Sequence, residues 1–190
     1  MSRTSTKVRN FATKVIDITL TITNAEAATA DVVADFQSFD VNSASEAVTG
    51  TINYMILADN DDSGIQLDVL FSDKQSAPVL GTENDVVAIS DGDAATIIGR
   101  IDTGATYVDL VASKIVVPSA FTPIPFTTAN GSLYVGVVNR GAATTWTASG
   151  ITLRLGLTIE YCPSHSYRDG ATGEGRSRLA LRRLLRILEA

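Results

Sequence analysis

The run Asp59-Asn60-Asp61-Asp62-Ser63-Gly64 is the most chemically suggestive stretch of the chain. Oxygen-bearing side chains at alternate positions, Asp59, Asp61 and Ser63, precede a glycine that permits a sharp turn. That is the first half of a calcium loop. The second half is missing. The twelfth position, which needs a bidentate carboxylate, is Leu70, and Asp68 comes two positions early. The competing reading is an acidic hairpin loop between two strands. Calcium is the one cofactor the sequence suggests. Cys162 and His165, three residues apart, could form a thiol nucleophile and its base, but no third residue is evident to orient them. One cysteine and one histidine exclude an intrachain disulfide, a Cys-rich zinc site and a multi-histidine metal centre. There is no G-x-S-x-G, H-E-x-x-H, P-loop or G-x-G-x-x-G. With so many acids, pairing two of them on paper into a glycosidase dyad carries no information. The expectation is a protein that performs no catalysis.

Charge is distributed more informatively than reactive groups. The net of −6 comes from 15 basic and 21 acidic residues. Residues 1–9 hold Arg3, Lys7 and Arg9 and no acid, a charge of +3. Residues 168–190 hold six arginines against Asp169, Glu174 and Glu189, again +3. The stretch between has 6 basic and 18 acidic residues, or −12. An acidic body with two basic ends reads as arms reaching a partner. Between Arg178 and Leu188, Leu181, Leu184, Leu185 and Leu188 follow i, i+3, i+4, i+7, and Arg178, Arg182 and Arg186 repeat on an adjoining face. That is a short amphipathic helix, marginal alone in water, which must fold against something. A membrane surface, a nucleic acid and a protein groove are the three candidates. The acidic body opposes nucleic acid, and no apolar run reaches the roughly 18 residues that cross a bilayer. Docking on protein is favoured, with the leucines buried and Arg178, Arg182, Arg183 and Arg186 reading acidic neighbours.

The elements between the arms are strands. Thr, Val and Ile number 22, 17 and 15, so 54 of 190 residues are β-branched and suit pleated, half-buried surfaces. In 15–23, Ile16, Ile18, Leu20 and Ile22 alternate with Asp17, Thr19, Thr21 and Thr23. In 150–161, Ile151, Leu153, Leu155, Leu157 and Ile159 alternate with polar or small residues. Further strands are expected near 32–39, 48–58, 65–71, 86–90, 95–101, 105–117 and 132–139, with turn residues between them. The fold expected is all-β: a jelly-roll-like β-sandwich with an N-terminal extension and a short C-terminal amphipathic helix. The division is a basic arm over 1–14, a sandwich body over 15–162, a linker over 163–177 and the Arg/Leu helix over 178–190. The start of the chain does not read as a signal peptide. The stretch 118–126 holds three of the five prolines together with Phe121 and Phe126. It should run extended along an edge or over a surface. It is a crossover loop capping the sandwich, or an apolar contact for a neighbour through Phe121 and Phe126. Trp146 anchors either the core or an interface.

The stretch Ser113-Lys-Ile-Val-Val-Pro-Ser-Ala-Phe-Thr-Pro-Ile-Pro-Phe, then Gly131-Ser-Leu-Tyr-Val-Gly-Val-Val-Asn, then Ile151-Thr-Leu-Arg-Leu-Gly-Leu-Thr-Ile-Glu-Tyr is Thr/Ala/Val-rich with few charges. In this it resembles small structural proteins of tailed-bacteriophage virions, closest in style to head decoration, or cement, proteins. The resemblance implies a β-rich domain, commonly a homotrimer, on the outside of a capsid and clamping its subunits. Its partners would be further copies of itself and the major capsid or another virion protein. It would reside in the virion after assembly in the host cytoplasm, and it carries no catalytic residues. Two other readings stay open. One is a shell-forming jelly-roll capsid protein whose basic ends face the packaged genome. The other is a receptor- or carbohydrate-binding module of a phage tail or fibre, which an aromatic content of 6% counts against.

Overall fold

The two segments with the cleanest alternation lie side by side. In the computed structural model, which describes residues 10–42, 46–74 and 76–161, β1 (Asn10–Thr19) pairs antiparallel with β12 (Ile151–Tyr161). The ladder runs without interruption from Asn10 opposite Tyr161 to Thr19 opposite Thr152. Ile18, Leu20 and Ile22 are buried, as are all five apolar positions of β12, while Asp17, Thr19, Thr21 and Thr23 face out. Residues 10–14, which the charge pattern assigns to the arm, belong to β1. The cationic segments outside the described body are therefore 1–9 and 162–190. The linker, the Arg/Leu segment, Cys162 and His165 lie outside the described residues.

The remaining elements are β2 (Glu26–Ala27), β3 (Val32–Asp40), β4 (Val48–Asp59), β5 (Leu67–Ser72), α1 (Asp91–Ala94), β6 (Ile97–Asp102), β7 (Val108–Asp109), β8 (Lys114–Val116), β9 (Ile124–Thr128), β10 (Ser132–Asn139) and β11 (Thr144–Thr145). Eight of the strands pair as a nested set: β1 with β12, β3 with β10, β4 with β9 and β5 with β6. The chain runs out through four strands and returns through four, as one long hairpin. Further pairing of β12 with β4 and of β10 with β5 rolls that hairpin into two sheets. One is β1-β12-β4 with β9 and the β7–β8 hairpin both on the far edge of β4; the other is β3-β10-β5-β6. This is a jelly roll, a β-sandwich built from two Greek keys.

The facing sides of the sheets share one core, which includes Met55, Leu57, Leu67, Val69, Leu133, Leu153 and Leu155, all without solvent exposure. Each such side chain contributes about 1.5–3 kcal/mol by leaving water. Phe39 of β3 and Phe71 of β5, on the inner side of the same sheet, meet edge to face over β10, centroids 6.5 Å apart. Trp146 is fully buried in the same cluster, so it anchors the core. Alternation along β4 breaks once. Ile52 and Met55 both point inward, because a bulge opposite Gly156 and Leu157 inserts Asn53 and turns Asn53 and Tyr54 both outward.

The outer face of the smaller sheet is covered. The connection from β5 to β6 crosses it and places Leu80 against Val32, Phe36 and Val138, with Val87 and Ile89 at the margin. Gly136 permits this approach, since a Cβ there would lie 2.6 Å from Leu80 Cδ1. Residues 86–90 are therefore not a strand. Their alternation serves packing over a sheet face, and only an isolated bridge joins Val86 to Asp31. Residues 105–117 are not one strand either. Asp109 Oδ1 accepts from the Val111 amide at 2.7 Å and folds the segment into the β7–β8 hairpin, with Val111 at a φ of 79°. The proline-rich stretch contains an edge strand, β9, in which Ile124, Phe126 and Thr128 point inward and Pro125 and Thr127 outward. Phe126 is buried, and Phe121 is half-buried against the same core. Phe126 does not present the apolar contact surface that the sequence allowed, because the parity of β9 turns it into the sandwich; Phe121, ahead of the strand, keeps only part of its ring at the surface.

On the outer side of the smaller sheet a buried carboxylate is held by two half-exposed arginines. Asp68 on β5 has no exposed side-chain surface, with Arg100 Nε 2.7 Å from Oδ1 and Arg140 Nε 2.5 Å from Oδ2. It joins β5, β6 and the end of β10. Removing the shared carboxylate leaves two guanidinium groups without their partner, but both are about half exposed, so solvent covers part of the loss. Asp68→Ala is expected to cost about 1–2 kcal/mol, read as a lowered urea midpoint with an unchanged slope.

Candidate interaction surface

The calcium-like run lies at the end of the sandwich where β4 finishes, and its carboxylates are taken up by nearby amides, hydroxyls and Lys114. Asp59 is fully buried. Its Oδ1 accepts the Asp61 amide at 3.1 Å, and its Oδ2 accepts the Ser63 hydroxyl and the Gly64 amide, both at 2.6 Å. Asp61 turns away to accept the Thr147 amide at 2.8 Å and its hydroxyl at 2.7 Å. Gly150 makes room for that contact, since a Cβ there would fall 1.9 Å from Asp61 Oδ2. Asp62 receives Lys114, with Nζ 3.2 Å from Oδ1 and 2.5 Å from the Asp62 carbonyl. Asp59, Asp61 and Ser63 therefore do not converge on a shared centre. Among the described residues, no group of three or more His, Cys, Asp or Glu side chains is placed to hold a metal ion. The motif is not a hairpin loop between paired strands: it carries the chain from β4 in the larger sheet to β5 in the smaller one, and Asp61 ties it to the 147–150 turn.

At the opposite end, Asn10 sits beside Tyr161. The nested topology thus sends both cationic segments, together +6, out of one pole of a body that carries −12. The body's own six cations are already engaged. Lys14 donates to the carbonyls of Asp40 and Val41, Lys74 pairs with Asp93, Arg100 and Arg140 with Asp68, Lys114 with Asp62 and Arg154 with Asp17. The hydrogen bond from Arg154 holds the Asp17 carboxyl below its usual range, and the one from Lys74 does the same for Asp93. The cationic residues that remain to match the body's acidic surplus are those of 1–9 and 162–190.

The outer face of the larger sheet differs from that of the smaller one, because no described segment crosses it. Pairing across β1, β12 and β4 sets out its rows. Val15, Gly156 and Tyr54 form one, and Asp17, Arg154 and Ile56 the next. In the third, Thr19, Thr152 and Ala58 continue into Ile115 of β8 and Val108 of β7. Tyr54 lies over Gly156, where a Cβ would come 1.9 Å from its Cε1. Val15 is 56% exposed, Val108 60% and Tyr54 39%. An apolar strip therefore crosses the face diagonally from Val15 through Tyr54 and Ile56 to Ile115 and Val108. Only the Asp17–Arg154 pair, with contacts of 2.7 and 2.9 Å, and the flanking threonines give it polar margins. A hollow of about 360 Å³ opens between Ile56, Ala58, Ile115, Thr152 and the ion pair. Sequence reasoning missed this strip. Its trace was visible in the unbroken run Tyr54-Met55-Ile56-Leu57, which has apolar residues at both parities, but the bulge that sorts them onto faces was not.

Two outcomes follow for the loop pole. Millimolar calcium is expected to leave the unfolding midpoint where chelator leaves it, while Asp59→Asn lowers stability by about 2 kcal/mol in both buffers, because three loop donors lose their carboxylate. Burial pushes the Tyr107 phenol up to about 12; its hydroxyl donates to the Ile65 carbonyl at 2.7 Å. The folded chain therefore keeps this proton after the unfolded chain has lost it, so stability falls as pH rises above the ordinary phenol value of 10. Urea midpoints at about pH 9 and about pH 11 should separate in the native protein, and Tyr107→Phe should narrow the gap.

No known family model matches the chain, and no curated protein matches it.

Proposed function

We propose that the chain is a non-enzymatic structural protein of a virion, of the head decoration type, which binds neighbouring subunits through its two cationic arms. The observation that carries this reading is the polar separation of charge. Two cationic segments leave one pole of an acidic jelly roll whose own cations are all internally bound. Such arms find complementary charge on other acidic bodies, including further copies of this chain, and several weak arm contacts on one lattice act together with high effective concentration. Viral capsid proteins are among the known users of the jelly roll, and the fold by itself does not fix function. The similarity of 113–126, 131–139 and 151–161 to decoration proteins supports the outer surface of a capsid and a trimeric state.

A second reading is favoured by the strand order: a shell-forming jelly-roll subunit whose arms meet packaged nucleic acid. The two readings separate on salt and ligand. Deletion of residues 163–190 is expected to abolish co-sedimentation of the protein with its particle, and the full chain should show no salt-dependent binding to duplex DNA. A truncated protein that still binds and stabilises the particle removes the arm reading. Salt-dependent DNA binding by the full chain transfers support to the shell-forming reading.

A further inference from the structure

We propose that the apolar strip on the outer face of the larger sheet is the docking site for the chain's own segment 178–190, seated through Leu181, Leu184, Leu185 and Leu188. The inference extends the arm reading by naming the surface that holds the C-terminal arm before it reaches a neighbour. It begins with an asymmetry. Both sheets carry apolar side chains on their outer faces, but the smaller sheet has Leu80 and its connection laid over them and the larger one has no described cover. Antiparallel sheets that face water on one side normally keep that side polar. Here Val15 and Val108 remain more than half exposed, with Tyr54 and Ile56 between them.

Three quantities agree on the occupant. The strip spans four strand spacings and two row steps, about 23 Å from corner to corner. A helix of about a dozen residues is about 18 Å long, and its leucines at i, i+3, i+4 and i+7 span about 10 Å of that length, enough to cover the middle of the strip around Tyr54 and Ile56. The chain leaves the described body at Tyr161, on the same sheet, and 16 residues separate it from Arg178. From Tyr161 to Arg154, beside the hollow, is seven residues of strand, about 23 Å. A polar connector of this length containing Gly170, Gly173 and Gly175 has a root-mean-square span of about 20–24 Å. When connector span and site distance coincide, effective concentration is at its maximum, so a dilute chain meets its own segment before a neighbour's. Charge points the same way. Arg178, Arg182 and Arg186 flank the leucines and would face a body with a surplus of twelve acids and no uncommitted cation of its own among the described residues.

The test is disulfide trapping in the full chain at about micromolar concentration, a dilution at which intramolecular contact dominates. On a Cys162→Ser background, Leu184→Cys is combined either with Val15→Cys on the strip or with Thr82→Cys on the covered, opposite side of the sandwich. Val15 and Thr82 are both exposed, so neither substitution disturbs the core. The expected result is a linked monomer as the main product with Val15→Cys and none with Thr82→Cys. Adding Leu181→Asp and Leu188→Asp should abolish the link while the thermal midpoint of the body stays in place. Equal trapping at both positions, no trapping at either, or linked dimers at Val15→Cys each overturn the proposal; the last would assign the strip to a neighbour's arm. Particle co-sedimentation of the same proteins separates this inference from the functional reading. A chain that traps as expected but does not bind its particle keeps the docking site and loses the virion role; the converse loses only the docking site.

Discussion

The rest of this structure depends on the uninterrupted ladder between β1 and β12. Ten consecutive residues on each strand face each other, from Asn10 with Tyr161 to Thr19 with Thr152. Inside that pairing the outgoing strands β3, β4 and β5 meet the returning strands β10, β9 and β6 in turn, and the long hairpin rolls up to bury its apolar face. The β1–β12 ladder closes this arrangement and brings Asn10 and Tyr161, where both cationic segments leave the body, to one pole. Such sequence-distant pairing is entropically slow to form, so the strict alternation along both strands matters. A slip of one residue would turn Ile151, Leu153, Leu155, Leu157 and Ile159 all to solvent.

Electrostatics adds a second level of organisation to that frame. A body of −12 repels itself, and it answers locally by committing each cation to a specific carbonyl or carboxylate. Asp68 shows the extreme case, a fully buried carboxylate held between Arg100 of β6 and Arg140 just after β10. Asp17 with Arg154 shows the surface case, where solvent screens most of the attraction. The loop carboxylates Asp59 and Asp61 are absorbed in the same way by amides and hydroxyls. An acidic run that looks like a cation site in one dimension becomes a self-satisfied turn in three. What remains of the negative charge is spread over the body, while the compensating charge lies at the two ends of the described chain.

The two outer faces show how packing distinguishes surfaces of similar composition. The smaller sheet recruits the connection between β5 and β6 as a third layer, for which Gly136 leaves space and Leu80 supplies the anchor. The larger sheet has short connections along its far edge, the β7–β8 hairpin and β9, and neither folds back over it. Its apolar strip is consequently left without a described cover.

Residue order alone makes legible the all-β class, the inward faces of β1 and β12, the sandwich architecture and the charge division between body and ends. These follow from local properties: β-branched composition, period-two alternation and the positions of Lys, Arg, Asp and Glu. It was less reliable where alternation has two causes. Residues 86–90 alternate because they lie on a sheet, Phe126 alternates because it lies in one, and Val111 turns a hairpin without a glycine to announce it. Tertiary structure alone decided which strands pair, that Asn10 and Tyr161 are neighbours, that Asn53 bulges and turns Tyr54 outward, and that Asp59, Asp61 and Ser63 face different donors. Each of these depends on contacts between residues tens to more than a hundred positions apart, whose partners no local pattern names.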